Sequence, residues 1–254
     1  MTQQFKSGSF TPDPARAGMG AMIGSQALIE AKLFLRHGEQ QLLSLIIPLG
    51  LLIALSLTTL LPGEKPVFTV FPFTLAVAGM SAGFTGQAIA VAFDRRYGAL
   101  KRIGASGVPA WTIIFGKVVA VLGVALVQTL ILGSVALVLG WRMPLGGIVP
   151  TVLAMVLGVG TFTAIGLLLG GTLSSEVVLA VANTAWFVLL GAAAYFVLRG
   201  GGTVPGYSLA IPSVAFADAL RQAFHGTIAW MNLLSLAVWA AVSSAAAIRL
   251  FRFS

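Results

Sequence analysis

The sequence predicts an all-α polytopic membrane protein: six transmembrane helices, an N-terminal interfacial amphipathic helix, and a segment between spans five and six. Three observations carry that fold class. Hydrophobic residues make up 58% of the 254 and charged residues only 9%, whereas a soluble domain carries about 25% charged residues. The chain therefore cannot clothe a water-facing surface of its own size. Six apolar runs are each long enough to approach the roughly 20 residues a helix needs to cross a bilayer core. The charges collect in the links between these runs.

In chain order, residues 1–20 hold Pro12, Pro14 and several Ser and Gly, and read as a disordered cytosolic tail. Residues 21–40 read as a helix lying on the membrane. At 100° per residue Ile23, Ala27, Ala31, Phe34 and Leu35 share one face, with Ser25, Gln26, Glu30, Lys32, Arg36 and His37 opposite. Met22, Ile29 and Leu33 intrude on that polar face. Residues 41–254 form the six-span domain, with spans at Leu42–Leu61, Val67–Phe93, Ile113–Leu139, Ile148–Gly171, Val177–Leu198 and Ile228–Leu250. No cleavable signal peptide is visible ahead of the first span, so the N-terminus is expected to be kept.

Orientation follows from the Lys and Arg on each side. One side receives Lys6, Arg16, Lys32, Arg36, Arg95, Arg96, Lys101, Arg102, Lys117, Arg249 and Arg252, and the other Lys65, Arg142, Arg199 and Arg221. Eleven against four places both termini in the cytosol of a multi-pass protein of the cytoplasmic (inner) membrane. The net charge of +8 is accounted for by this bias and by contact with anionic headgroups, so membrane lipid is an expected partner and nucleic acid is not. With no cysteine, and with His37 and His225 far apart, no metal site is expected.

The external segment 199–227 opens with Gly200-Gly201-Gly202, contains Pro205 and Pro212, and turns helical over Val214–Phe224, with Asp218 and Arg221 three apart. Short re-entrant helices and a mobile loop both fit this pattern.

No Asp, Glu, Lys or Arg falls mid-span, although ion-coupled carriers place ionisable groups at membrane depth. The chain also lacks a G-x-x-x-x-G-K-[ST] nucleotide motif. Energy for transport must therefore come from elsewhere, and if ATP is used a separate polypeptide binds it. Neutral polar residues do occur in the spans: Gln87, Gln128, Thr129, Thr161, Thr163, Asn183 and Thr184. Of these, Gln87, Gln128, Thr129, Asn183 and Thr184 are candidates to line a substrate path. Interhelical hydrogen bonding is the alternative role for each. Trp186 and Tyr195 would give a cavity an aromatic wall. Gly79-x-x-x-Gly83 and Gly166-x-x-x-Gly170 permit close helix approach and indicate packing.

The most informative link is the basic loop 94–111, Asp94-Arg95-Arg96-Tyr97-Gly98-Ala99-Leu100-Lys101-Arg102 through Pro109 to Trp111. Asp94 is expected to cap a short helix, Gly104–Gly107 to break it, and Lys117 to snorkel at the membrane surface. Held between two spans, such a helix is a rigid lever. Binding of anionic lipid is the alternative.

At these residues the chain resembles the membrane subunits of type-2 ABC exporters. Their loop after the second span runs from an acidic and basic start through Gly-Thr-Leu-Glu, a short helix, Thr-Pro and an aromatic to Gly-Lys. Asp94–Arg102, Trp111 and Gly116-Lys117 follow that pattern, which departs at Ala99, at Lys101 and at Ser106-Gly107, with Pro109 two positions later. The variant is similar to actinobacterial daunorubicin-resistance-type drug efflux permeases. The resemblance implies a permease subunit, not itself an enzyme, that pairs with a second permease of the same or related sequence above two copies of an ABC ATPase. It implies that ATP and Mg sit on that ATPase and no cofactor on this chain. It further implies that Asp94, Arg95, Arg96, Tyr97, Gly98, Leu100, Lys101, Arg102 and Pro109 make up the ATPase-coupling site, and that an amphipathic, drug-like molecule is moved outward. Export of a lipid-linked glycan or envelope precursor is the alternative cargo. A passive channel or an assembly factor is the alternative class.

Overall fold

A computed structural model describes residues 18–36, 42–58, 65–99, 102, 110–142, 144–199 and 203–250. The described chain is helical with short links. Helix α1 spans Met19–Arg36. A π-helical turn, Leu42–Ile46, leads into α2, Ile47–Leu57. The longer helices are α3, Val67–Arg96; α4, Ala110–Val138; α5, Ile148–Thr172; α6, Ser175–Leu198; and α8, Trp230–Leu250. Between α6 and α8 lies α7, Pro212–Phe224.

Among the described residues five helices are long and apolar enough to cross a membrane, and Ser44–Leu57 is a shorter apolar helix. The first expected span was to reach Leu61, but 59–64 fall outside the described residues, as do 1–17 of the expected tail. The other five apolar runs appear as helices close to their expected bounds. Local composition sets them, because only a helix satisfies every backbone donor and acceptor within one segment in lipid.

Helix α3 is the centre of the bundle. Of its most apolar window 89% is buried inside the chain, against 11% for α8. The α5 helix lies along it, and the two GxxxG motifs meet there. A Cβ on Gly83 would sit 3.0 Å from the Val159 carbonyl oxygen, and one on Gly166 would sit 2.6 Å from that of Phe84. These glycines let the two backbones touch. Helix α3 carries a π-helical stretch at Ser81–Gly86, and from its start Ser81 accepts a 2.7 Å hydrogen bond from the Trp186 indole on α6. Trp186 is fully buried. It ties two helices together.

Segment 199–227 is neither wholly irregular nor exposed. Helix α7 is buried along most of its length against α3 and α5. The buried Asp218 carboxylate accepts from Arg221, from Gln222 at 2.8 Å and from Asn232 of α8 at 2.9 Å. A carboxylate removed from water needs donors of this kind, and they fasten α7 to α8. Phe216 of α7 plugs into α5, where a Cβ on Gly158 would fall 2.2 Å from its ring. Gly158→Ala is expected to destabilise the protein by about 1–3 kcal/mol through overpacking. Thermal unfolding in detergent should show the loss, and a second change, Phe216→Leu, should recover part of it.

Helix α1 packs on the start of α4, with its faces used differently from the expectation. Gln26 and Glu30, assigned to the polar side, turn inward, while Leu28, Ile29 and Leu33 are exposed. The inward turn is compensated by a buried cation at Lys117. Gly116 allows the approach, since a Cβ there would lie 2.6 Å from Gln26 Cγ.

Candidate functional site

The loop-side ends of five helices converge, and polar contacts join them. Helix α3 does not stop at Asp94 but runs on to Arg96. Asp94 is therefore in the last turn of a helix and not the N-cap of a new one; the continuous apolar ladder of α3 prevails over its capping preference. Tyr97 ends the helix, and Gly98 takes φ +68°, with its N–H on the Arg95 carbonyl at 3.0 Å. That left-handed position suits glycine. Gly98 is the helix stop from which the loop departs.

Lys117 does not snorkel. Its side chain is 3% exposed, and its ammonium meets Glu30 of α1 at 2.5 Å and Asp94 of α3 at 3.1 Å. In a buried site the ammonium needs both carboxylates to offset its desolvation. Arg95 and Arg96 turn toward the link between α5 and α6. Arg95 donates to the carbonyls of Gly170 and Leu173, each at 3.1 Å, which satisfies acceptors at a helix C-terminus. Arg96 bonds Ser175 at 3.1 Å and pairs with Glu176.

Tyr97 is 66% exposed and stacks on Phe93, with ring centroids 6.0 Å apart. Arg102 is exposed, and its N–H reaches the Gly98 carbonyl at 3.2 Å, a helical spacing. Leu100, Lys101 and Pro109 lie outside the described residues.

The expected path residues are not gathered into one cavity. Gln128 donates to the Ser44 carbonyl at 2.9 Å and so joins α4 to the turn before α2. Thr129 bonds the Ala125 carbonyl of its own helix at 2.7 Å, and Thr184 is exposed. Thr161 bridges to the Leu236 carbonyl of α8 at 2.9 Å. Gln87 and Asn183 each keep a buried side-chain oxygen with no hydrogen-bond partner among the described residues, as do Thr85 and, despite its donated bond, Gln128. The Ser81–Trp186 and Arg96–Ser175 bonds fix α3 and α6 as antiparallel, and that register puts Asn183 level with Thr85 and Gln87. None of these residues lines the open apolar groove of about 640 Å³ bounded by Leu209, Leu234, Val238 and Trp239.

Sequence reasoning missed the Glu30–Lys117 pair. Its one signal was a carboxylate on a helix whose amphipathicity was only moderate.

Long apolar helices around a buried central span, with charged contacts at one end, define a polytopic membrane protein whose loop end is built as a polar junction. The family model described as ABC-2 family transporter protein matches residues 53–249, and the chain belongs to that family. It is thus a transporter membrane component, of a kind that associates with an ABC ATPase in a dimeric arrangement. No curated protein matches the chain. Helix α1 lies outside the matched residues.

Proposed function

We propose that this chain is the permease subunit of an ATP-driven exporter that moves an amphipathic or hydrophobic, drug-like substrate outward across the cytoplasmic membrane. Two copies of a separate ATPase bind ATP and Mg and drive it through the 94–111 loop. Both termini face the cytosol, and a second permease, the same or related, completes the pore. The family match over 53–249 is the observation that carries this reading. The exposed end of α3 supports the loop assignment. Tyr97 stands out from the junction with its ring supported by Phe93, a preformed aromatic anchor of the kind that dominates interfaces. Leu100, Lys101, Arg102 and Pro109 complete that contact surface. Arg95 and Arg96 are engaged inside the chain, which leaves them another task.

The unpartnered oxygens of Gln87 and Asn183 support a path along the α3–α6 seam, where a polar-decorated substrate would supply the missing donors. Gln128, Thr129 and Thr184 complete the proposed path. The apolar face Leu28, Ile29 and Leu33 of α1 supports its seat in the membrane interface.

The test is co-purification with a Walker-motif ATPase, followed by ATP turnover of the complex in proteoliposomes. Tyr97→Ala is expected to weaken ATPase binding by about 2 kcal/mol, roughly thirtyfold in affinity. If no ATPase co-purifies with the wild type, or Tyr97→Ala leaves affinity unchanged, the coupling assignment fails.

A further inference from the structure

Three consecutive residues at the loop end of α3 each bind a different neighbour. Asp94 reaches Lys117 of α4, and through it Glu30 of α1. Arg95 holds the carbonyls that end α5. Arg96 holds Ser175 and Glu176 at the start of α6. Successive side chains on an α-helix fan out by about 100°, so a helix in the middle of a bundle can reach three sides with three adjacent residues. Helix α3 is that helix, the most buried of the long ones.

We propose that Asp94-Arg95-Arg96 is a branching joint that divides any displacement of the loop between α1 and α4 on one branch and α5 and α6 on the other. These are positioning residues: they act through the helices they hold. The two branches differ in construction. The Asp94–Lys117–Glu30 branch is buried at its centre, with the Lys117 side chain 3% and the Glu30 side chain 10% exposed, and meets water only at Asp94. A buried pair is stiff because separating its members strands a charge. The Arg95 clamp ends on backbone carbonyls, so it grips α5 whatever side chains lie there. The Arg96–Glu176 pair is more than half exposed on the glutamate, where water screens it; it is the compliant member and the one whose charges are exchangeable. Nothing comparable among the described residues links α3 to α8 at this end, which leaves α8 to follow α5 through its long packing contact.

The inference rests on the proposed coupling through the loop, and the experiment separates the two. Hydrogen–deuterium exchange is followed, with and without ATP, on the full chain bound to its co-purifying ATPase in nanodiscs. Wild type is expected to show ATP-dependent changes both in α1 and in residues 172–178. Asp94→Asn is expected to reduce the α1 change about tenfold, equal to about 1.4 kcal/mol of coupling, with the 172–178 change kept. Arg96→Glu is expected to do the reverse, and adding Glu176→Arg is expected to restore the 172–178 response. A residue that only stabilised the fold would alter both regions together and would not be rescued by the exchange. If either substitution weakens both responses equally, or neither does so selectively, the joint is refuted while the exporter reading stands. If wild type itself shows no ATP response, the coupling reading falls and takes the joint with it.

Discussion

Lys117→Met is expected to be the most damaging single substitution among the charged residues, lowering stability by about 3–5 kcal/mol, the range for breaking a buried ion pair by deleting one partner. The substitution keeps most of the side-chain volume, so the loss comes from charge. It leaves Glu30, only 10% exposed, and Asp94, one-third exposed, facing each other with no cation between them. Water at Asp94 moderates its share, and the burden falls on Glu30. Helix α1 should detach from α4 first, since Glu30 is its charged contact with that helix and Gln26 only rests its aliphatic stem against Gly116. Limited proteolysis between 18 and 36, together with thermal unfolding in detergent, measures both consequences. The pair Lys117→Met with Glu30→Gln should be more stable than Lys117→Met alone, because no stranded charge then remains on α1. A Lys117→Met protein as stable and as protease-resistant as wild type would remove the triad from the account of this fold.

Gly170→Ala should open the α3–α5 contact. Its new Cβ would lie 2.4 Å from the Ala88 carbonyl oxygen and 3.1 Å from the carbonyl carbon. Both atoms are backbone in the middle of a buried helix, so no rotamer change relieves the clash and the helices must part. Overpacking of this kind costs about 1–3 kcal/mol, and the upper end applies where backbone meets backbone. The shift also moves the Gly170 carbonyl away from Arg95, adding a lost charge-assisted hydrogen bond of about 1.5 kcal/mol or more. Gly160, on the same helix, has nothing within 4 Å of a built Cβ. Gly160→Ala is therefore the control, expected to be neutral or slightly stabilising by up to about 1 kcal/mol, as alanine favours helix. If the two substitutions gave equal melting temperatures, the close approach of α3 and α5 would not be a determinant of stability.

Much of the architecture was legible because a bilayer imposes a local rule. A run such as 113–139 has one way to satisfy its backbone in lipid, and it forms α4 almost as bounded. The GxxxG pairs were legible for a related reason: small residues four apart make a flat helix face wherever they occur. Asp94 was misread because its capping preference was weighed without knowing that the packing of α3 would carry the helix past it. Lys117 was misread because snorkelling is the default for a lysine near a span end, and its alternative depended on Glu30, 87 positions away in the chain. Helix α7 showed its helical pattern, but nothing in Pro212–Phe224 alone reveals that α3 and α5 leave a slot for it.

By itself, then, the sequence determined that this is a helical membrane protein and where its long spans lie, since both follow from composition within a few turns of chain, while the loop Asp94–Arg102 carried the resemblance to a family. Only the tertiary structure decided that Asp94, Arg95 and Arg96 turn into the protein and bind α4, α5 and α6, and that Glu30 turns inward to Lys117. Those are contacts of charged side chains with charges or carbonyls distant in the chain, and their energies depend on burial and separation, which exist only once the helices are packed.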